Sequence, residues 1–348
     1  MSLTQAADEF EPEPEPAPQP VDLSTTLAGV AFPNPIFTAS GCAAAGRELS
    51  AFFDVSQLGG IVTKSVMRDP RFGRPTPRMA ETPSGMLNSI GLQGPGIDAF
   101  LEKDLPWLVA NGARAVVSIA GGSVEEYGEL ARRLRGAPGL TMVEVNISCP
   151  NVADRGQVFA CSVSAAADVI SAVRAEFTGG DAATARVPIF AKLSPDVTDI
   201  VAIARSVVDA GADGLSLINT LLGMVIDPDT LRPALAGITG GLSGPAIRPV
   251  AIRCVYQVHA ALPDVPILGM GGARCGADAL AFLAAGASAV SVGTAVFGDP
   301  GAPMRIVQEL EDELRARGIG AVSDLIGAAH RPAGTPVPGL VKPVGAAL

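Results

Sequence analysis

From about residue 34 onward, short β-branched and apolar runs alternate with Ala- and Leu-rich stretches of helical character, separated by polar or Gly-rich loops. The runs predict strands at Ile36–Gly41, Gly60–Val66, Ala115–Ala120, Met142–Ser148, Pro188–Leu193, Gly214–Asn219, Pro266–Met270 and Ala289–Val292. The intervening stretches predict helices that include Ser123–Leu134, Ser164–Phe177, Asp199–Ala210, Pro249–Ala261 and Gly276–Ala285. Eight strands alternating with helices point to an α/β fold, a closed parallel (β/α)8 TIM barrel. The segments "AGADGLSLIN" and "AGASAVSVGT" repeat one pattern, in which Gly211 or Gly286 caps a helix in the left-handed region before a strand begins. Two longer inserts, Met67–Gly94 and Leu221–Arg248, follow the second and sixth strands, where such a barrel builds its mouth.

Composition narrows this picture. The chain has 348 residues, which suits one barrel of roughly 250 residues with additions. Residues 1–22 read as a disordered acidic tail, because Glu11-Pro12-Glu13-Pro14-Glu15-Pro16 can form neither helix nor ladder and buries no apolar surface. The barrel is assigned to residues 23–320 and a C-terminal extension to 321–348. No apolar run approaches the ~20 residues that span a bilayer. A net charge of −10 argues against a nucleic-acid partner. The five cysteines occur singly, without metal spacing, which suggests reduced thiols in the cytoplasm and no metal site. With only His259 and His330 present, a histidine base is not expected.

The chemistry concentrates at the C-terminal ends of the predicted strands. Ser40-Gly41, Lys64-Ser65, Asn146 to Asn151, Lys192, Asn219-Thr220, Gly271-Gly272 and Gly293-Thr294 all fall there, and a barrel brings those ends to one face. In Asn146-Ile147-Ser148-Cys149-Pro150-Asn151 a thiol stands between two carboxamides, each able to donate and accept along the edge of a flat polar ring. A strand-end cysteine taken alone more often packs than reacts. Glycines after the last two strands, with Gly240-Gly241 and Ser243-Gly244, let backbone N–H groups approach a phosphate. Lys64 and Lys192 sit in strands, where lysine is rarely buried without a partner. Each pairs with a neighbouring carboxylate or serves a site at which negative charge develops.

The segments "NISCPN", "MAETPSGMLNSIGLQGPG", "KLSPDVTDI", "GADGLSLINTLLGMVID", "TGGLSGPAIRP", "GMGG" and "VGTA" together resemble class 1 dihydroorotate dehydrogenases, the B subgroup most closely, over about residues 27–300. The resemblance implies FMN-dependent oxidation of (S)-dihydroorotate to orotate in pyrimidine biosynthesis. Cys149 matches the family's base, which removes the C5 proton while hydride leaves C6 for flavin N5. Lys64, Asn88, Ser89, Ile90, Gly91, Leu92, Asn146, Asn151, Asn219 and Thr220 match substrate contacts. Ser40, Lys64, Ser65, Ser118, Asn146, Lys192, Ile218, Gly244, Gly271, Gly272, Gly293 and Thr294 match flavin contacts. Ser118 stands where the family commonly has Asn, and Cys161 reads as packing. The resemblance also implies a homodimer core and an iron–sulfur and FAD subunit that passes electrons to NAD.

Two alternatives remain open at this point. A dihydropyrimidine dehydrogenase barrel shares "N-x-S-C-P" and FMN, and a non-catalytic flavin-binding or electron-transfer module would share the fold. One expectation follows from the tail alone: a chain beginning at Val21 should keep the melting temperature and solubility of the full chain. A fall in melting temperature of several degrees would show that the tail belongs to the folded unit.

Overall fold

The computed structural model describes residues 20–147, 162–178 and 187–340. Eight parallel strands form one sheet: β1 (Ile36–Thr38), β2 (Ile61–Val62), β3 (Ala115–Ile119), β4 (Leu140–Asn146), β5 (Ile189–Leu193), β6 (Gly214–Leu217), β7 (Ile267–Met270) and β8 (Ala289–Val292). Each strand pairs with its sequence neighbour, and β8 pairs with β1. A parallel bridge between Phe37 and Gly60 closes the ring, with Gly59 N–H donating to Ile36 O at 2.9 Å and Thr38 N–H to Gly60 O at 3.2 Å. The architecture is the expected (β/α)8 barrel. All eight strands fall within or beside the runs that sequence periodicity picks out. Several are shorter, because their final residues leave the ladder to line the barrel mouth.

Period-2 alternation sorts the strand side chains between two cores. Ile61, Val117, Val143, Val145, Ala191, Leu215, Leu217, Val290 and Val292 face the helices. Phe37, Val62, Val116, Met142, Phe190, Leu268 and Ala289 form the separate inner cluster. Two residues of an N-terminal hairpin, Thr25–Leu27 paired with Val30–Phe32, complete that inner cluster. Leu27 and Phe32 are buried, the Phe32 ring meets Phe37 edge-on at 5.0 Å, and Thr25 Oγ1 donates to Ser288 O just before β8. The hairpin therefore plugs the N-terminal end of the barrel with apolar side chains.

The five predicted helices appear as Val124–Leu134, Val163–Thr178, Ile200–Asp209, Arg248–Ala261 and Gly276–Ala284. Ser123 and Asp199 cap two of them, accepting from Glu126 N–H and from Val201 and Ala202 N–H. Gly211 and Gly286 follow helix ends with φ of +108° and +112°, as the repeated pattern requires. Further helical segments occupy residues 97–110, part of it π-helical, and Ala302–Ala316, while β1 is followed only by short 3-10 turns. No helix among the described residues is long and apolar enough to cross a membrane.

The two inserts meet in space. Met79–Thr82 and Gly85–Asn88 form a hairpin, and Gly240–Ser243 pairs with its second strand, Gly241 opposite Asn88. Leu221–Gly223 completes this antiparallel sheet beside Gly240–Ser243. Gly240 and Gly241 are needed for that packing: a β-carbon on Gly241 would lie 2.0 Å from Thr220 Oγ1, and one on Gly240 2.7 Å from Asn88 O. The sheet walls one side of the barrel mouth.

The apolar plug generates a stability prediction. Phe32→Ala removes a buried ring and should cost about 3–5 kcal/mol, read as a lower urea midpoint with an unchanged slope. A change within 1 kcal/mol would mean that the hairpin is not part of the cooperative core.

Candidate active site

Above the apolar inner layer the barrel interior turns polar. Ser118, Glu144, Lys192, Ser216 and Ser291 are all buried, and a cavity of about 770 Å³ opens over them at the C-terminal ends of the strands. Its wall carries Ser40, Lys64, Ser65, Asn88, Ile90, Gly91, Leu92, Asn146, Lys192, Ile218, Asn219, Thr220, Gly244, Gly271, Gly272, Gly293 and Thr294. Residues from seven barrel strands and both inserts thus converge on one space, of a size usual for a small-molecule or cofactor site.

Hydrogen bonds fix the orientation of this wall. Ser65 Oγ accepts from Asn146 Nδ2 at 3.1 Å and lies 3.0 Å from Ser118 Oγ and 3.4 Å from Ser40 Oγ. Asn146 Oδ1 accepts from Asn219 Nδ2 at 3.3 Å, and Asn219 Oδ1 accepts from Thr220 N–H at 2.8 Å. Tyr127 Oη donates to the Asn146 carbonyl at 2.7 Å, anchoring the end of β4 from the helix side. Asn88 Nδ2 contacts Gly241 O at 3.4 Å across the two inserts.

The opposite wall is backbone. Gly272 has φ +88°, and a β-carbon there would stand 2.6 Å from Gly244 O, so the two loops touch only because a side chain is absent. Arg248 pins this turn, donating to Asp278 at 2.6 Å, while Asp278 also accepts from Arg274 N–H at 3.0 Å. Thr294 Oγ1 donates to Ser243 Oγ at 2.8 Å, tying the β8 loop to the second insert. The result is a rigid backbone cradle, suited to an anionic group such as phosphate.

The family model described as dihydroorotate dehydrogenase matches residues 22–314. The chain belongs to the dihydroorotate dehydrogenase family. It is 49% identical over 307 residues to the catalytic subunit of dihydroorotate dehydrogenase B (NAD(+)) from Geobacter sp., covering 88% of this chain and 98% of that protein. The catalytic subunit of the same name from Geobacillus kaustophilus is 50% identical over 305 residues, 88% of this chain and 95% of that protein. The Geobacter sulfurreducens protein, again of that name, is 50% identical over 307 residues, 88% and 98% of the two chains.

For this dihydroorotate dehydrogenase family member, most residues singled out in the sequence share the cavity, and two stand behind its wall. Ser118 is fully buried and reaches the site only through Ser65, with its N–H accepted by Thr63 Oγ1 at 3.2 Å. Ser89 is buried beneath the insert, its hydroxyl 3.4 Å from Arg74 Nη1. Cys149, Asn151 and Cys161 lie outside the described residues. His259 and His330 sit away from the mouth: their rings lie 4.8 Å apart, and His330 stacks on Tyr256 at 3.9 Å. Burial, reinforced by His330, pushes the His259 ring below the usual imidazole range.

Sequence reasoning did not single out Cys42, Arg71 or Arg74, which also line the cavity. The run "RDPRFGRPTPR" carries four arginines in an insert already assigned to the mouth, which is the signal that could have found the last two. For Cys42 the neighbouring Ser40-Gly41 was the only pointer. Burial pushes its thiol up to about 11, although Lys192 and Lys64 pull the other way. At pH 8 only about one molecule in a thousand then carries the reactive thiolate. Iodoacetamide labelling of Cys42 at that pH, followed by peptide mapping, should run ~10² slower than labelling of a free thiol. Labelling at the free-thiol rate would mean that the two lysines outweigh burial.

Proposed function

We propose that this chain oxidises (S)-dihydroorotate to orotate with FMN bound in the barrel-mouth cavity, as the catalytic subunit of a dihydroorotate dehydrogenase in pyrimidine biosynthesis. The observation that carries this reading is the convergence of Lys64, Asn88, Asn146, Lys192, Asn219 and Thr220 with the glycine turns after β7 and β8 on one cavity of about 770 Å³. The residues fit FMN. The close approach of Gly272 to Gly244 offers backbone N–H groups for the phosphate, joined by Gly271, Gly293 and Thr294. Lys192 supplies a cation on the wall, and Ser40, Ser65, Asn146 and Ile218 supply the polar and apolar edges of a flat ring site. Ser118 acts in this reading through Ser65.

When bound, FMN supplies the hydride acceptor, at its N5. The chain's own residues then have three tasks. Asn88, Asn146, Asn219 and Thr220, with Asn151, grip the substrate's ring amides, since a carboxamide matches a donor and an acceptor on one edge. Lys64 meets the substrate's negative charge. Ser89, Ile90, Gly91 and Leu92 form the insert backbone that closes over the ring. Cys149, which follows β4 three residues after Asn146, takes the C5 proton, and the C–H bond electrons at C5 become the C5–C6 double bond as hydride leaves C6. The names of the relatives, catalytic subunit and NAD(+), support a partner subunit that carries the electrons onward to NAD.

The purified protein should carry about one FMN per chain, released by heat and identified by chromatography. Cys149→Ala should retain FMN and slow its reduction by dihydroorotate ~10² or more, the usual scale of proton-transfer catalysis, while Cys161→Ala changes little. Finding FAD instead, or equal losses in both variants, would contradict the assignment.

A further inference from the structure

Glu144 is the least expected residue in the barrel interior. It sits on β4 two positions before Asn146, in the phase that faces the lumen, with Ser118 and Phe190 as its register partners on the flanking strands. Its side chain is wholly buried, and neither carboxylate oxygen has a hydrogen-bond partner among the described residues. The group it approaches is the Lys192 ammonium, 3.6 Å from Oε1 and itself 6% exposed. Lys192 lies on the cavity wall, whereas Glu144 lies beneath it.

Such a pair does little for stability. Two desolvated charges without further hydrogen bonds gain about as much from each other as they lose by leaving water, and apolar residues of equal volume are often better. Position explains the carboxylate more simply. A fixed carboxylate 3.6 Å behind the ammonium holds Lys192 against the cavity wall, where it can offset negative charge developing in the cavity.

We infer that Glu144 is the positioning residue of Lys192: its carboxylate, out of reach of any ligand, holds the ammonium in place and directed at the cavity. The inference rests on the flavin reading above and extends it, because the charge that Lys192 meets there is that of the reduced flavin. Glu144 thereby tunes the oxidising strength of the cofactor without touching it.

The test is a double-substitution cycle read as the midpoint potential of bound FMN, with the melting temperature followed alongside. Glu144→Gln should make the bound flavin a weaker oxidant by tenfold or more in equilibrium constant, which for a two-electron couple is a downward shift of about 30 mV. Lys192→Met should do the same, and the two together should shift the potential no further than Lys192→Met alone. Glu144→Asp, which keeps the carboxylate, should recover most of the potential. An unchanged or raised potential in Glu144→Gln overturns the inference, as do shifts that add in the double variant. Should Glu144→Gln fail to fold, comparing Lys192→Met with the double variant, in which no lone buried charge remains, still decides between equality and a further drop. Failure of the unsubstituted protein to take up FMN would instead overturn the flavin reading and this assignment with it, while normal uptake with additive shifts overturns this assignment alone.

Discussion

Closure of the strand ring is the constraint on which the rest of the molecule depends. Once Phe37 and Gly60 bridge β1 to β2, every second side chain of eight strands is committed to a lumen that holds no room for a loop or a helix. The lumen must then be filled in layers, and here its layers differ in polarity. Phe37, Val62, Val116, Met142, Phe190 and Leu268 fill the N-terminal half with the hairpin plug. Serine hydroxyls and the Glu144–Lys192 pair fill the next level, and the cavity lies above. Binding groups on the described part of the mouth thus stand on a packed floor.

Much of this was legible along the chain, for local reasons. A parallel barrel strand is buried on both faces, so "GLSLIN" and "AVSVGT" stand out as compact apolar runs, and their helices show helical spacing with Ser, Asp and Gly at the ends. The candidate site was legible because barrel topology sends strand ends to one face. Lys64, Asn146, Lys192, Asn219 and Gly271 could be grouped without knowing any distance between them.

What could not be read depends on contacts between distant segments. The pairing of Gly85–Asn88 with Gly240–Ser243 joins inserts more than 150 residues apart, and neither carries an alternation strong enough to announce a strand. Gly240 and Gly241 look like phosphate-loop glycines in sequence, while in space the β-carbons they lack would collide with Thr220 and Asn88. Ser118 and Ser89 follow the right segments yet end one layer behind the cavity, because a short side chain does not reach past its neighbours. A carboxylate partner for Lys192 was foreseeable in kind. Its identity as Glu144 required the register of β4 against β5.

On the proposed reading, a single cavity above the Glu144–Lys192 pair holds flavin and substrate together. A crystal structure of the protein loaded with FMN and orotate tests it most directly. The phosphate should lie against Gly271, Gly272, Gly293 and Thr294, the flavin ring beside Lys192, and orotate between that ring and Asn88, Asn146 and Asn219. Either ligand bound elsewhere on the barrel, or orotate separated from the flavin by a layer of protein, would contradict it.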